Sequence, residues 1–233
     1  MTRSGPVPLL LLLAAAAGCT PGAARPAAAP PASFDPYEVC WNRAETEECT
    51  RGIERELLAQ APGPVRREGA RLLFRTGQGR VVPLENDTTE GDRYVHYLYQ
   101  GYLRDVGYHL VQVGFYEGGA YELVSAESGD RTQVAALPVV SPDLRRFVTA
   151  SVDLEAGYVP NGLQVWRLTP AGPRLEWGLD GGDTWGASGA SWRGPGTVEF
   201  VKETRTLDPG TTDRARMRLV LRGRGLAVEP AGR

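Results

Sequence analysis

The sequence predicts an antiparallel all-β fold preceded by one short helix, on three observations. From Arg71 onward, short strand-like runs are punctuated by Gly, Pro, Asp and Asn. Turn signatures such as Gly77-Gln78-Gly79, Glu117-Gly118-Gly119 and Ser128-Gly129-Asp130 sit between consecutive runs, as hairpin turns should. The runs recur every ~8–12 residues through much of this stretch with no helical pattern between them, which excludes crossover connections and a parallel sheet.

The chain opens on a leader. Leu9 to Ala17 is an uncharged run ending in Ala16-Ala17-Gly18-Cys19, behind a short segment whose one charge is Arg3. A spanning helix needs ~20 apolar residues, so this run has signal-peptide length rather than anchor length. Ala16-Ala17-Gly18-Cys19 resembles the lipobox of bacterial lipoproteins, with Ala16 where Leu is usual. That resemblance implies removal of residues 1–18, acylation of Cys19, and a membrane held through the N-terminal lipid. Thr20 stands where an Asp commonly retains such lipoproteins at an inner membrane, which favours an outer membrane where the cell has one, or the cell surface or periplasmic face. An ordinary Ala-x-Ala cut would leave Cys19 as a bystander. The cysteine count speaks for acylation: of three cysteines, it leaves Cys40 and Cys49 as an even pair for an oxidising compartment.

Residues 19–36 form the next unit, the acylated cysteine followed by an Ala/Pro-rich, almost uncharged stretch with no periodicity. It cannot bury enough apolar surface to offset its ordering entropy and reads as an extended tether, up to ~50 Å long in the polyproline form. Residues 37–64 form a helical segment. Cys49, Ile53 and Leu57 recur every four residues, Leu58 broadens the stripe, and Pro62-Gly63-Pro64 ends it. Two starts compete. Asn42 with Glu45 would make a capping box and begin the helix at Arg43, separating Cys40 from Cys49 by over ~12 Å. A start at Thr46 lets residues 41–45 fold back so that the sulfurs meet. The oxidising compartment favours the later start and a Cys40–Cys49 disulfide. Eight intervening residues match no zinc or redox spacing.

Residues 65–233 make up the β domain. Strands are expected near 71–75, 80–84, 108–116, 120–125, 132–137, 146–152, 163–169, 174–179, 197–202, 215–221 and 225–229. Ser141-Pro142-Asp143-Leu144 and the apolar run after it resemble the SPDG turn-and-strand element of TolB-like β-propeller blades, with Leu144 where Gly is usual. Ala190 to Gly196 before Thr197 is a degenerate second copy some fifty residues on, and residues 107–137 read as a remnant of an earlier one. The resemblance implies blade-like hairpins. A blade takes ~40–50 residues and closed propellers generally have four or more. Residues 71–233 hold three to three and a half, so a small or incomplete propeller, an open sheet and a sandwich all stay open.

Net charge of −2 with interspersed signs gives no field for nucleic acid. No phosphate loop or dinucleotide fingerprint occurs, so no cofactor is expected. His96 and His109 lie among tyrosines and read as structural. Ser188 in Gly186-Ala187-Ser188-Gly189-Ala190 lacks the second glycine of a nucleophile elbow. Glu85-Asn86-Asp87 with Glu90 and Asp92, and Asp180-Gly181-Gly182-Asp183, read as solvated turns rather than calcium loops. Trp166, Trp177 and Trp192 suit packing between sheets. Trp185 beside the Gly-rich turn is the aromatic expected at a loop rim, with Asp180 and Asp183 as its neighbours. The expectation is an envelope protein with a non-catalytic β domain that binds a protein or glycan partner. The alternative is a hydrolase drawing a carboxylate pair from Asp143, Asp153, Glu155, Asp180 and Asp183.

Overall fold

The structure, a computed structural model, describes residue 1 and residues 35–40, 45–208, 210–222 and 225–232. Cys19, the leader and most of the tether lie outside these, as do residues 41–44, expected to fold back between the cysteines. A short 3-10 turn (Glu38–Cys40) precedes helix α1 (Thr46–Gln60), which begins at the later of the two expected starts. Cys40 and Cys49 form a disulfide with Cα atoms 5.7 Å apart.

Fifteen strands among the described residues form four antiparallel sheets, each built from strands consecutive in sequence. Sheet one contains β1 (Val65–Glu68), β2 (Arg71–Arg75) and β3 (Val81–Glu85). Sheet two contains β4 (Val95–Leu103), β5 (Tyr108–Phe115), β6 (Gly119–Ser125) and β7 (Arg131–Val134). Sheet three contains β8 (Val139–Val140), β9 (Arg146–Ser151), β10 (Gly162–Thr169) and β11 (Gly172–Asp180). Sheet four contains β12 (Trp185–Trp192), β13 (Thr197–Arg205), β14 (Thr212–Arg222) and β15 (Gly225–Pro230). The expected runs fall on eleven of these. The sequence reading assigned no strand to β1, β4, β8 or β12.

Alternation along the strands gives each sheet two usable faces, and the core is divided accordingly. One cluster joins sheets one and two through Leu72, Phe74, Leu84, Tyr99, Val111 and Val124. A second joins sheets two and three through Leu110, Leu123, Val134 and Phe147. The third joins sheets three and four through Val148, Leu163, Val165, Val198, Phe200 and Leu219. No cluster among the described residues joins sheet four back to sheet one. The far side of sheet four is polar instead. Glu199 pairs there with Arg193 and Arg218, and the buried Glu203 pairs with Arg214 and accepts from Ser188. A terminal unit in a stack needs such a wettable outer face, which fits a row of four sheets with distinct ends.

The turn that carries the blade resemblance connects β8 to β9. Pro142 occupies the second position of a β-turn closed by Leu144 N–H donating to Ser141 C=O at 2.9 Å. Ser141 Oγ and Asp143 Oδ1 are 2.7 Å apart, and Arg145 N–H donates to the same carboxylate oxygen. Leu144 follows at φ +58°, the left-handed region, with its side chain 44% exposed. The residue type the resemblance would place there is the one the backbone favours. Leu144→Gly should relieve ~1–2 kcal/mol of left-handed strain while adding ~0.5–1 kcal/mol of unfolded-state entropy. Net stabilisation of about 0.5–1 kcal/mol is expected, read as a higher denaturation midpoint at constant slope. A lower midpoint would show that Leu144 packs more than its exposure indicates.

Candidate functional site

The rim expected from sequence does not converge on one cavity. Asp180, the last residue of β11, is exposed and lines a cleft of about 320 Å³ together with Ser151, Asn161, Gln164, Leu175 and Gly178. Asp183 lines a separate, shallower depression at the β13–β14 hairpin. Trp185 opens β12 between the two, half-buried against the third core cluster, with Lys202 Nζ 5.1 Å from its ring centroid. Trp177 and Trp192 pack on the same cluster, and Trp166 stacks on Phe147 with ring centroids 5.7 Å apart.

The cleft follows from strand register. On the face of sheet two that meets sheet three, Leu110 and Leu123 lie toward one end of the strands, followed by Gln112 with Tyr121, then Gly114 with Gly119. On the opposing face of sheet three, Phe147 with Trp166 gives way to Thr149 with Gln164, then Ser151 with Gly162. The first pairs close the sheets with apolar contacts. The later positions carry amides, hydroxyls and glycines, and of these Ser151, Gly162 and Gln164 line the cleft, whose walls belong to β9, β10, β11 and the loop before β10. The loop after β9 meets the β5–β6 turn of sheet two, where a Cβ built on Gly118 would lie 2.7 Å from Tyr158 Cβ. Tyr158 is 53% exposed at this edge.

That loop is held by two residues. Asp153 accepts from the backbone N–H groups of Ala156, Tyr158 and Val159. Burial pushes its carboxyl up, but the amides of Val159, Tyr158, Gly157 and Ala156 outweigh this and hold it below the usual carboxylate range. Asn161 Nδ2 donates to Asp153 C=O at 3.2 Å and to Gly182 C=O at 3.0 Å, tying the loop to the turn that leaves β11.

The remaining chemical candidates sit apart. Asp143 holds the β8–β9 turn, and Glu155 is exposed on the loop. Asp87 is held below its ordinary value by its side-chain and backbone hydrogen bonds to Thr89, and neighbouring Asn86 accepts from Tyr97 N–H at 2.9 Å. No group of three His, Cys, Asp or Glu residues among the described residues is arranged to hold a metal ion. Ser188 Oγ donates to Glu203 on the far face of sheet four, whereas both histidines belong to sheet two.

His109 is 2% exposed, with Nδ1 3.1 Å from the Tyr99 hydroxyl and rings of Phe74 and Tyr102 around it. Burial pushes its pKa down to about 4. The folded state therefore holds the ring neutral where an unfolded chain, at ~6.5, binds a proton. This contribution to stability is present above pH ~6.5 and is lost as pH falls toward 4, by roughly 2–3 kcal/mol in total. His109→Gln should flatten that part of a stability-against-pH curve. Superimposable curves for the two proteins between pH 7 and 4 would remove His109 as the cause.

Comparison with models of known protein families and with curated proteins gives no match for this chain.

Proposed function

We propose that this chain is an exported envelope lipoprotein, anchored through acylated Cys19, whose β domain binds a partner, protein or glycan, without catalysing a reaction. The cleft on sheet three carries the reading. It is concave, lined by a few hydrogen-bonding groups on apolar walls, and at ~300 Å³ or more reaches the size of ordinary small-ligand sites. Two of the carboxylates that a hydrolase would draw on, Asp143 and Asp153, are committed to holding turns. The blade-like sheets, on the TolB-type resemblance, supply a rigid frame for such a site. Among the described residues no helix is long and apolar enough to cross a membrane.

Three measurements test the proposal. Intact mass of membrane-extracted protein should show a chain beginning at diacylated Cys19, and a mature chain keeping a free Cys19 thiol overturns the anchor. Gentle crosslinking in detergent-solubilised membranes should recover a partner. Reproducible turnover of envelope glycans or model esters that disappears in Asp180→Asn or Asp183→Asn would overturn the binding-only reading.

A further inference from the structure

We infer that the outer face of sheet four docks on a layer of anionic lipid headgroups; the choice of a membrane as partner rests on reading Cys19 as the anchor. Register defines the face. Val198 and Phe200 of β13 and Leu219 of β14 point into the core shared with sheet three. The alternate residues Glu199, Val201 and Glu203 therefore point away from it, opposite Arg218, Arg216 and Arg214 of β14 in turn. Arg205 and Arg222 continue the two strands on the same side, and Arg193 reaches in from the end of β12 to Glu199.

A face that only had to be wet would balance its signs. This one sets six arginines against Glu199, Glu203 and Glu229, in a chain whose net charge is −2. Height sharpens the bias. The side chains of Arg193, Arg214 and Arg222 are 63%, 69% and 67% exposed, whereas those of Glu199, Glu203 and Glu229 are 29%, 9% and 40% exposed. Guanidinium groups thus form the outermost layer, and the carboxylates lie beneath. Arg216 is exposed, and its neighbour on β13 is Val201, so no acid on that strand lies opposite it. Along β14, Arg214, Arg216 and Arg218 recur every ~7 Å, the two-residue step of a strand. The remainder of the chain carries the net negative charge, which turns this face toward an anionic surface. None of the residues named on the face is aromatic, so it offers no ring to anchor in a protein pocket or to stack on a sugar. A headgroup layer needs neither. It asks for several basic groups within a screening length, and a guanidinium grips phosphate through two parallel hydrogen bonds.

The test places the full chain, deuterated and isotope-labelled, on nanodiscs whose lipid includes a gadolinium-labelled headgroup. One set is phosphatidylcholine, and the other is an equal mixture of phosphatidylcholine and phosphatidylglycerol. An N-terminal lipid holds the chain on both sets, so their difference isolates the face. On the anionic discs the amides of Ser191, Arg214, Arg216 and Arg222 should be the most broadened of the β domain, at least threefold more than on neutral discs. Salt at about 1 M, which shortens screening to ~3 Å, should erase the difference. Arg216→Glu should lower that broadening at least threefold with the denaturation midpoint unchanged, and Arg216→Gln with Arg222→Gln serves if it fails to fold. A chain found on anionic discs alone, in this orientation, supports the face and overturns the anchor. Broadening that is the same on both sets, or that both variants leave intact, overturns the face and spares the anchor. Shifts at these amides with polyglutamate, but none with anionic discs, overturn the membrane and assign the face to an acidic protein.

Discussion

Replacing Glu54 with alanine is expected to lower the unfolding free energy by about 3–5 kcal/mol, enough to lower the melting temperature by on the order of 10 °C. Glu54 is 5% exposed on α1, and its carboxylate receives both arms of Arg67, from Nη2 at 2.5 Å and Nε at 3.0 Å. It also accepts from Tyr99 N–H at 2.9 Å. Arg67 Nη2 continues to Tyr97 C=O at 2.6 Å, and the Tyr37 hydroxyl donates to Tyr99 C=O at 2.5 Å. Burial, with the Glu54 charge nearby, pushes the Tyr37 phenol well above its ordinary range and keeps that donor protonated.

These partners share one target. β4 pairs with β5 along one edge, and beyond the single Asp87–Val95 bridge its other edge would otherwise present unpaired backbone groups. Asn86 serves Tyr97 N–H, Arg67 serves Tyr97 C=O, Glu54 serves Tyr99 N–H, and Tyr37 serves Tyr99 C=O. Four side chains thus stand in for a missing strand, and the Cys40–Cys49 disulfide joins the segment bearing Tyr37 to the helix bearing Glu54. Glu54→Ala strands a partly buried guanidinium and a strand N–H together. Adding Arg67→Met should restore part of the loss by removing the uncompensated charge, and the double-mutant cycle measures that coupling. A loss below about 1 kcal/mol for Glu54→Ala would mean that water takes over the edge of β4 and that the cap is dispensable.

This edge cap marks the boundary of what a single sequence discloses. The start of α1 at Thr46 was legible, because two cysteines nine residues apart cannot bridge along a continuous helix. Strands such as β2, β5 and β10 were legible from branched and aromatic residues bounded by turn signals. Glu54 was not, since its partners lie thirteen and forty-five residues away and appear only when α1 lies along β4. The missed strands have a tertiary cause as well. β12 reads Trp-Gly-Ala-Ser-Gly-Ala-Ser-Trp because it lies close against sheet three, where a Cβ on Gly186 would stand 2.7 Å from Val152 Cα. Small residues selected for close packing look like a loop when that packing is unseen. The cleft was half legible. Asp180 was singled out for its Gly-rich turn, but Gln164 and Gly178 carry no local signal, and they gain meaning only because register pairs them across β10 and β11.

Gly181→Ala should be the other severe substitution, costing about 3–5 kcal/mol and disrupting the cleft with the fold. Its φ is not positive, so the effect is steric rather than conformational. A Cβ there would fall 1.7 Å from Trp185 C=O oxygen and 2.8 Å from its carbon, inside the turn that carries the chain from sheet three to sheet four. Backbone cannot yield as a flexible side chain would. Gly181 N–H donates to Asn161 C=O at 3.0 Å, and its own carbonyl accepts from the N–H groups of Thr184 and Trp185 and from Thr184 Oγ1. Moving Gly181 therefore pulls on the Asn161 clamp, on the first residue of β12 and on Asp180 at the rim together. The adjacent position supplies the control. Gly182 sits at φ +51° with nothing within 4 Å of a built Cβ. Asn tolerates the left-handed region, so Gly182→Asn should cost no more than about 1 kcal/mol and leave partner crosslinking unchanged. Equal losses at the two glycines would show that the turn depends on general flexibility, whereas a wide separation assigns the loss to the Trp185 carbonyl.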